Sequence, residues 1–105
     1  ADVPKADVVV TNPTELAVAL RYEAGVMNAP RVVAKGQRLM ARRIREIAEE
    51  NHVPLVERKP LAQALFRMCE VGDEVPVDLY QAVAEVLAFV YELNRMKTRA
   101  RSSVA

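Results

Sequence analysis

Hydrophobic and polar residues alternate with two different periods along the chain, and the period changes near Gly36. Before Gly36 the apolar residues fall in short segments, and in residues 16–22 the larger ones recur at every second position, which is the spacing of a β-strand with one larger apolar face. Residues 8–11 are a β-branched run that ends at a turn signal, residues 16–22 alternate larger and smaller side chains, and residues 31–34 are a third short apolar run. The first part of the chain therefore predicts three strands.

After Gly36 the apolar positions recur three or four residues apart, which is typical of amphipathic helices. The first helix should end near residues 51–52, because Pro54 lacks a backbone N–H and disfavours helical geometry in the residue before it. Pro60 and Pro76 suit the first turns of two further helices. The predicted core stripes are Met40, Ile44, Ile47 and Ala48 in the first helix, Leu61, Ala64, Leu65, Met68 and Cys69 in the second, and Leu79, Val83, Val86, Leu87, Val90 and either Leu93 or Asn94 in the third.

Residues 54–57 predict a short fourth strand between the first two helices, so the elements follow the order β-β-β-α-β-α-α. This order indicates an α/β (α+β) fold in which a small four-stranded mixed sheet is flanked by helices. A chain of 105 residues suits one domain, which we place at residues 1–96. Residues 97–105 form a basic tail that we predict to be unstructured.

The composition argues against several kinds of chemistry. One histidine and one cysteine cannot build the usual zinc sites, and a lone cysteine cannot form an internal disulfide. Hydroxyl residues are few, so a Ser-His-Asp arrangement is not expected. Cys69 lies on a core stripe and is expected to be inert packing. We therefore predict no cofactor, no metal and no turnover of external substrates. No apolar run approaches the roughly 18 residues that a membrane-spanning helix needs.

Charged residues fall in blocks of one sign. Residues 31–45 contain six basic residues and no acid, whereas residues 70–92 contain six acids and no base. Arg38, Arg42 and Arg45 recur on one helix face and are candidates for partner binding, although solvation of the face explains them as well. A nucleic-acid-binding domain is an alternative function. It is disfavoured because the basic block lacks interleaved aromatic residues and the acidic block would repel phosphates.

Asn12 and Pro13 form a dipeptide with distinctive reactivity. In most Asn-Xaa pairs the following backbone N–H attacks the asparagine side chain, which leads to deamidation, but proline has no N–H. The remaining intramolecular route is attack by the asparagine amide nitrogen on its own backbone carbonyl. This attack forms a succinimide and expels the proline nitrogen, provided that a turn holds the reacting atoms together. Taken alone, Asn-Pro is also a common turn signal.

The sequence around this dipeptide resembles one known family. Val-Thr-Asn-Pro-Thr at residues 10–14, followed by the alternating segment 16–22, is similar to the self-cleavage region of the FlhB family, called YscU in injectisomes. The resemblance then continues, in the family's order, through residues 29–36, 53–57, 60–65, 70–76 and 79–88. It covers nearly all of residues 7–94.

The resemblance implies cleavage between Asn12 and Pro13, after which the two pieces stay associated. It implies a domain on the cytoplasmic face of the bacterial inner membrane, joined to a membrane part outside this sequence. The implied partners are export substrates, the ruler (hook-length control) protein and other export-gate components, with no nucleic acid. With the ruler protein, the domain would switch export from rod-and-hook substrates to filament substrates. Residues 72–76 favour a flagellar protein, and a homologous injectisome switch is the alternative.

One position departs from the family motif, which reads Asn-Pro-Thr-His. Here Glu15 follows Thr14 in place of the histidine. Asn12 and Pro13 still supply the nucleophile and the leaving group, and Thr14 and Glu15 complete the candidate catalytic site. A histidine would assist proton transfer or order the turn, whereas a carboxylate is a poorer proton donor at neutral pH. The residue at position 15 is therefore expected to influence the cleavage rate.

Overall fold

A computed structural model describes the backbone of residues 2–104 and the side chains of residues 2–97. Its strands are β1 (Val8–Asn12), β2 (Leu16–Arg21), β3 (Arg31–Gln37) and β4 (Leu55–Glu57). Its α-helices are α1 (Leu39–Glu50), α2 (Lys59–Met68) and α3 (Tyr80–Val104), and short 3-10 turns lie at Val3–Lys5 and Val77–Leu79. The predicted order of elements and the predicted fold class are confirmed.

The strand order in the sheet is β3-β2-β1-β4, so that β1 and β2 are the two central strands. β1 pairs antiparallel with β2 and parallel with β4, and β2 pairs antiparallel with β3. The sheet is therefore mixed, as expected. β3 and β4 run in the same direction at opposite edges of the sheet. The connection through α1 consequently crosses one face of the sheet.

Alternation along β1 and β2 separates two apolar layers. The layer on one face packs against α2 and α3, and the layer on the other face packs against α1. The first layer contains Val8, Val10, Val18 and Leu20, and the second contains Val9, Ala17 and Ala19. The predicted larger and smaller faces of β2 are confirmed. The small alanine side chains leave room for the backbone of α1 to approach the sheet.

Two predicted core stripes differ from the observed ones. In α1 the buried residues include Ala41 and Ile44, whereas Met40 is 59 % exposed. Close packing against the alanine-lined face of the sheet suits a small residue better than methionine at this point. In α2 Ala62 is buried, and Met68, the last residue of the helix, is 46 % exposed. In both helices the prediction placed a methionine in the core because of its hydrophobicity, whereas the buried position is held by a smaller alanine.

The last helix is the longest and extends past the predicted end of the domain. Beyond residue 96 it continues to Val104, over a segment that the sequence predicts to be unstructured. The side chains of residues 98–105 lie outside the described part. Arginine, lysine, methionine and alanine favour helix intrinsically, so the helix can continue there without a core contact. Among the described helices, α3 included, none has the length and apolar character needed to cross a membrane.

The segment between α2 and α3 covers part of the edge strand β3. The Val32 N–H donates to the carbonyl oxygen of Asp73 at 3.0 Å, and the Gly72 N–H donates to the carbonyl oxygen of Val32 at 2.7 Å. The guanidinium of Arg31 lies 3.4 Å from the carboxylate of Glu74. The basic and acidic blocks of the sequence are thus joined within the molecule at this edge.

Candidate functional site

Residues 13–15 connect β1 to β2 in a tight turn. Asn12, the last residue of β1, pairs with Leu16 at the start of β2. The Glu15 N–H donates a hydrogen bond to the Asn12 carbonyl oxygen, with an N···O distance of 3.0 Å. A proline in the second position and a φ of 66° at Thr14 in the third position are features of a type II turn. The structure therefore brings the four predicted catalytic residues together in one turn.

Thr14 adopts a backbone conformation that is unfavourable for its residue type. A branched Cβ makes a positive φ costly, and the third position of a type II turn usually holds glycine. Strain of this kind costs of order 1–3 kcal/mol and persists only where the surroundings impose it. Here the paired strands β1 and β2 impose it from both sides of the turn.

The two residues of the scissile bond differ in exposure. Asn12 is 8 % exposed, in line with the complete burial of β1, whereas Pro13, Thr14 and Glu15 are exposed. The carbonyl carbon of Asn12 therefore belongs to a rigid strand end. Pro13, whose nitrogen is bonded to this carbon, is exposed. This arrangement fixes the electrophile and leaves the leaving group free to move away after bond cleavage.

Two backbone hydrogen bonds hold the turn from outside the hairpin. The Arg58 N–H donates to the Thr11 carbonyl oxygen at 3.0 Å, and the Arg38 N–H donates to the Glu15 carbonyl oxygen at 2.9 Å. Arg38 directly precedes α1, and Arg58 directly precedes α2. The turn is thus tied to the starts of two helices. Because only backbone atoms take part, no pattern of side chains in the sequence indicates this role.

The basic face predicted for partner binding is not uniform. Arg38 and Arg42 are exposed, and the guanidinium of Arg42 lies 3.7 Å from the carboxylate of Glu46. Arg45 is half-buried, and its Nη1 atom is buried with no hydrogen-bond partner in the described part of the chain. Arg38 is the member of this face that contacts the turn, through its backbone. A partner-binding role for the three side chains stays a prediction.

Lys35, from the same basic block, is engaged within the molecule. Its Nζ atom donates to the carbonyl oxygen of Phe66 at 3.0 Å, lies 4.7 Å from the centre of the Phe66 ring, and lies 3.6 Å from the carboxylate of Glu70. Arg31 is paired with Glu74 in a similar way. Two of the six basic residues therefore attach β3 to the segment after α2, which reduces the charge available for binding phosphates.

Cys69 lies directly after α2 and is buried. Burial, together with the nearby carboxylate of Asp73, raises the pKa of its thiol, and the opposing effect of Lys35 is smaller. The thiol is therefore protonated at neutral pH, and only a thiolate is a good nucleophile. In the part of the chain that the structure describes, no group of three or more His, Cys, Asp or Glu side chains is arranged to hold a metal ion.

Two apolar cavities lie on the face of the sheet that carries α2 and α3. One, of about 300 Å³, is lined by Arg58, Pro60, Leu61, Ala64, Leu79, Ala82, Glu85 and Val86. Its lining residue Arg58 donates its backbone N–H to Thr11, in β1. The other, of about 240 Å³, is lined by Tyr22, Asn28, Ala29, Pro30, Tyr80, Ala84 and Leu87. The sequence does not indicate either cavity, because each depends on how far apart the helices and loops pack.

Comparison with known proteins agrees with this fold. The family model described as the FlhB HrpN YscU SpaS family matches residues 1–90. The flagellar biosynthetic protein FlhB of Escherichia coli (strain K12) is 59% identical over 97 residues, which are 92% of this chain and 25% of that protein. The chain therefore spans about a quarter of the length of the curated relatives that it matches.

Two solved structures are similar to this one. The crystal structure of the cytoplasmic domain of FlhB from Shewanella putrefaciens has a TM-score of 0.88 and 39% sequence identity, covering 92% of this chain and 74% of that chain. The EscU C-terminal domain, solved with an asparagine replaced by alanine, has a TM-score of 0.82 and 29% identity, covering 85% of this chain and 89% of that chain. These likenesses extend over almost the whole sheet and its helices.

Proposed function

The chain belongs to the FlhB HrpN YscU SpaS family, and we propose that it is the cytoplasmic part of a flagellar-type export component that cuts its own backbone between Asn12 and Pro13. Cleavage would switch the export apparatus from rod-and-hook substrates to filament substrates. The observation that carries the proposal is the strained turn, in which the Asn12 carbonyl oxygen accepts a hydrogen bond from the Glu15 N–H. The proposal includes no turnover of external substrates.

The chemistry consists of one intramolecular substitution. The side-chain Nδ2 of Asn12 attacks the backbone carbonyl carbon of the same residue, and a tetrahedral intermediate forms. The bond from that carbon to the Pro13 nitrogen then breaks. Nδ2 loses a proton and the proline nitrogen gains one, so the products are a peptide that ends in a succinimide and a chain that begins with a proline amine. Water later opens the succinimide ring.

The Glu15 N–H is placed to stabilise the intermediate. It already donates to the Asn12 carbonyl oxygen at 3.0 Å, and this oxygen carries the negative charge once the carbonyl carbon becomes tetrahedral. A hydrogen bond to a charged acceptor is stronger than one to a neutral acceptor, so the donor favours the intermediate over the ground state. Removing a comparable donor from an enzyme site lowers the rate by roughly 10²- to 10³-fold.

Backbone strain at Thr14 also favours cleavage. While the bond between Asn12 and Pro13 is intact, both ends of the turn are fixed and Thr14 is held at a φ of 66°. After cleavage the residues that follow the cut can relax, because one end of the turn is free. The strain is therefore present in the reactant and absent from the product, which favours the cut state.

The proposed partners are export substrates, the ruler (hook-length control) protein and other components of the export gate, at the cytoplasmic face of the inner membrane. The names of the relatives support this assignment, since they are flagellar biosynthetic proteins and a cytoplasmic domain. We place docking at residues 12–15 and neighbouring apolar residues, because this is where cleavage changes the molecule. An NMR titration with a hook-class export substrate should shift signals at residues 10–16. Shifts confined to Arg38, Arg42 and Arg45 would assign docking to the basic face instead.

Self-cleavage can be tested by intact-mass measurement on the purified chain, incubated at neutral to alkaline pH without protease. We expect a peptide that ends at Asn12, first lighter by one water than the free acid, and a second piece that begins at Pro13. Asn12→Ala is the control, because it leaves no side-chain nucleophile, whereas an aspartate would place a carboxylate oxygen beside the same carbonyl. Cleavage of that variant at the parental rate would contradict the mechanism.

A further inference from the structure

Arg38 has a backbone conformation that residues with side chains rarely adopt. Its φ is 54° and its ψ is −117°, which are the angles of the first central residue of a type II′ turn and usually belong to glycine. No side-chain hydrogen bond caps α1 at this position. Backbone strain of this kind persists only where the surroundings impose it, and it concentrates at functional sites. The start of a helix does not by itself explain this conformation.

The strained residue joins the start of α1 to the turn. The Arg38 N–H donates to the Glu15 carbonyl oxygen at 2.9 Å, and the Arg38 carbonyl oxygen accepts the N–H of Arg42 at 3.0 Å, at the start of α1. Glu15 is also the residue whose own N–H bonds to the Asn12 carbonyl oxygen. The hydrogen bond from the Arg38 N–H to the Glu15 carbonyl oxygen therefore limits the movement of the Glu15 N–H.

Gly36 keeps the first turn of α1 close to β3. It is buried, and a Cβ at this position would lie 2.6 Å from the Cβ of Met40, 3.0 Å from the Met40 carbonyl carbon and 3.2 Å from the Ala41 nitrogen. Only glycine permits such an approach. The position of α1 relative to β3 in turn fixes Arg38, which lies between the two elements.

We propose that Arg38 and Gly36 are positioning residues for backbone cleavage, acting through the Arg38 N–H on the Glu15 donor that faces the Asn12 carbonyl oxygen. The inference rests on the proposed self-cleavage and specifies what holds its geometry. The arginine side chain takes no part in it. The relevant features of Arg38 are its positive φ and its N–H, and the relevant feature of Gly36 is the absence of a side chain.

A pair of substitutions at Arg38 tests the role of the backbone. Arg38→Gly relieves the strain while keeping the N–H, so this variant should cleave at the parental rate and unfold at a higher temperature. Arg38→Val removes the same side-chain charge but disfavours the positive φ. It should cleave roughly tenfold to a hundredfold more slowly, as expected when reacting groups are displaced by about 1 Å.

A second pair of substitutions tests Gly36 without changing charge. Gly36→Ala introduces the clash with Met40 and should slow cleavage. Gly25→Ala is the control, because a Cβ at Gly25 meets no atom within 4 Å and its φ of 81° makes the substitution costly all the same. It should lower stability and leave the cleavage rate unchanged. Adding Met40→Gly to Gly36→Ala removes the closest clash and should restore part of the rate.

The readouts are the cleavage rate by mass spectrometry and the hydrogen exchange of the Arg38 and Glu15 amides by NMR, the latter measured in an Asn12→Ala background, which lacks the side-chain nucleophile. Arg38→Val and Gly36→Ala should speed exchange at these two amides. If the parent cleaves and both variants cleave at its rate, the positioning role is wrong and the proposed function stands. A slow Arg38→Gly variant would assign the effect to the guanidinium and also overturn the inference. A parent that never cleaves would overturn the proposed function, and this inference with it.

Discussion

At the scale of single residues, backbone strain is concentrated around one turn. Three non-glycine residues in the described part of the chain have a positive φ, namely Thr14, Arg38 and His52. Thr14 precedes Glu15 directly, and Arg38 donates a hydrogen bond to it. His52 is at the end of α1, where a left-handed residue is a common way to stop a helix. Thr14 and Arg38 instead occupy turn positions that usually hold glycine, within the cleavage turn and hydrogen-bonded to it, which is why we connect them with cleavage.

Thr14→Gly should remove the backbone strain at this position and keep the rest of the turn. Glycine adopts a φ of 66° without steric cost. The free energy of unfolding of this variant should therefore be about 1 kcal/mol higher than that of the parent, after allowance for the flexibility of glycine in the unfolded chain. Cleavage should be slower, because the reactant no longer stores this strain. Urea denaturation and timed mass spectra measure the two effects. Thr14→Ala, which keeps a Cβ at the positive φ but removes the branching, should fall between the parent and Thr14→Gly in both. A Thr14→Gly variant that cleaves as fast as the parent would remove strain from the mechanism.

Glu15→His tests proton transfer at the same turn. A histidine exchanges protons near neutral pH, so this variant should cleave faster than the parent, with a rate that depends on pH in the range where imidazole titrates. Glu15→Gln is the control, because it removes the charge and cannot act as a base. Identical rates in Glu15→His, Glu15→Gln and the parent would mean that position 15 contributes only its backbone.

At the scale of elements, the cut falls beside a central strand. β1 lies between β2 and β4, and all five of its residues are buried. The sequence predicted the strands from local features, namely the β-branched run at residues 8–11, the alternation at residues 16–22 and the short segments at residues 31–34 and 54–57. It did not predict that β4 pairs parallel with β1, since pairing joins residues far apart in the chain. The bond from the Arg58 N–H to Thr11 continues that pairing, and the bond from the Arg38 N–H to Glu15 continues the pairing of β2 with β3. Neither bond is visible in the side-chain pattern of the sequence.

Cleavage between Asn12 and Pro13 should leave the two pieces associated. Cutting at the turn removes none of the ladder hydrogen bonds between β1 and its neighbours, and dissociation would expose a fully buried strand. Native gel filtration should show one species where a denaturing gel shows two. The urea midpoint of the cut form should rise with protein concentration, because its unfolding releases two molecules. Separation of the peptide under native conditions would contradict this expectation.

At the scale of the whole molecule, the sheet separates an α1 layer from an α2 and α3 layer. The alternation in β2 predicted a larger and a smaller apolar face, but it did not predict which helices cover each face. Met40 and Met68 were wrongly placed in the core. Hydrophobicity identifies the face of a helix that is buried, but the volume between two elements decides which residue fits. The same limit applies to the cavities and to Gly36, whose role depends on an interatomic distance.

Stability should fall at alkaline pH through Cys69. Burial raises the pKa of its thiol in the folded state above its usual value of 9.0, so the unfolded chain loses the proton first as pH rises. The folded state then binds more protons, and stability that is fully present below the unfolded pKa declines above it. Urea midpoints at pH 7 and pH 10 should differ less in Cys69→Ala than in the parent. An equal difference in both proteins would show that other groups cause the decline.

The central position of β1 also determines how a cut molecule would bear force. In the intact chain, tension along the backbone passes through the covalent bond between Asn12 and Pro13. After cleavage the same tension passes from β1 to β2 and β4 through their hydrogen bonds, which lie across the strand direction and are loaded together in shear. Under sustained tension, the contact of β1 with β2 and β4 then holds only as long as these hydrogen bonds rarely open by thermal motion. Cleavage therefore converts a permanent mechanical link into one with a finite lifetime.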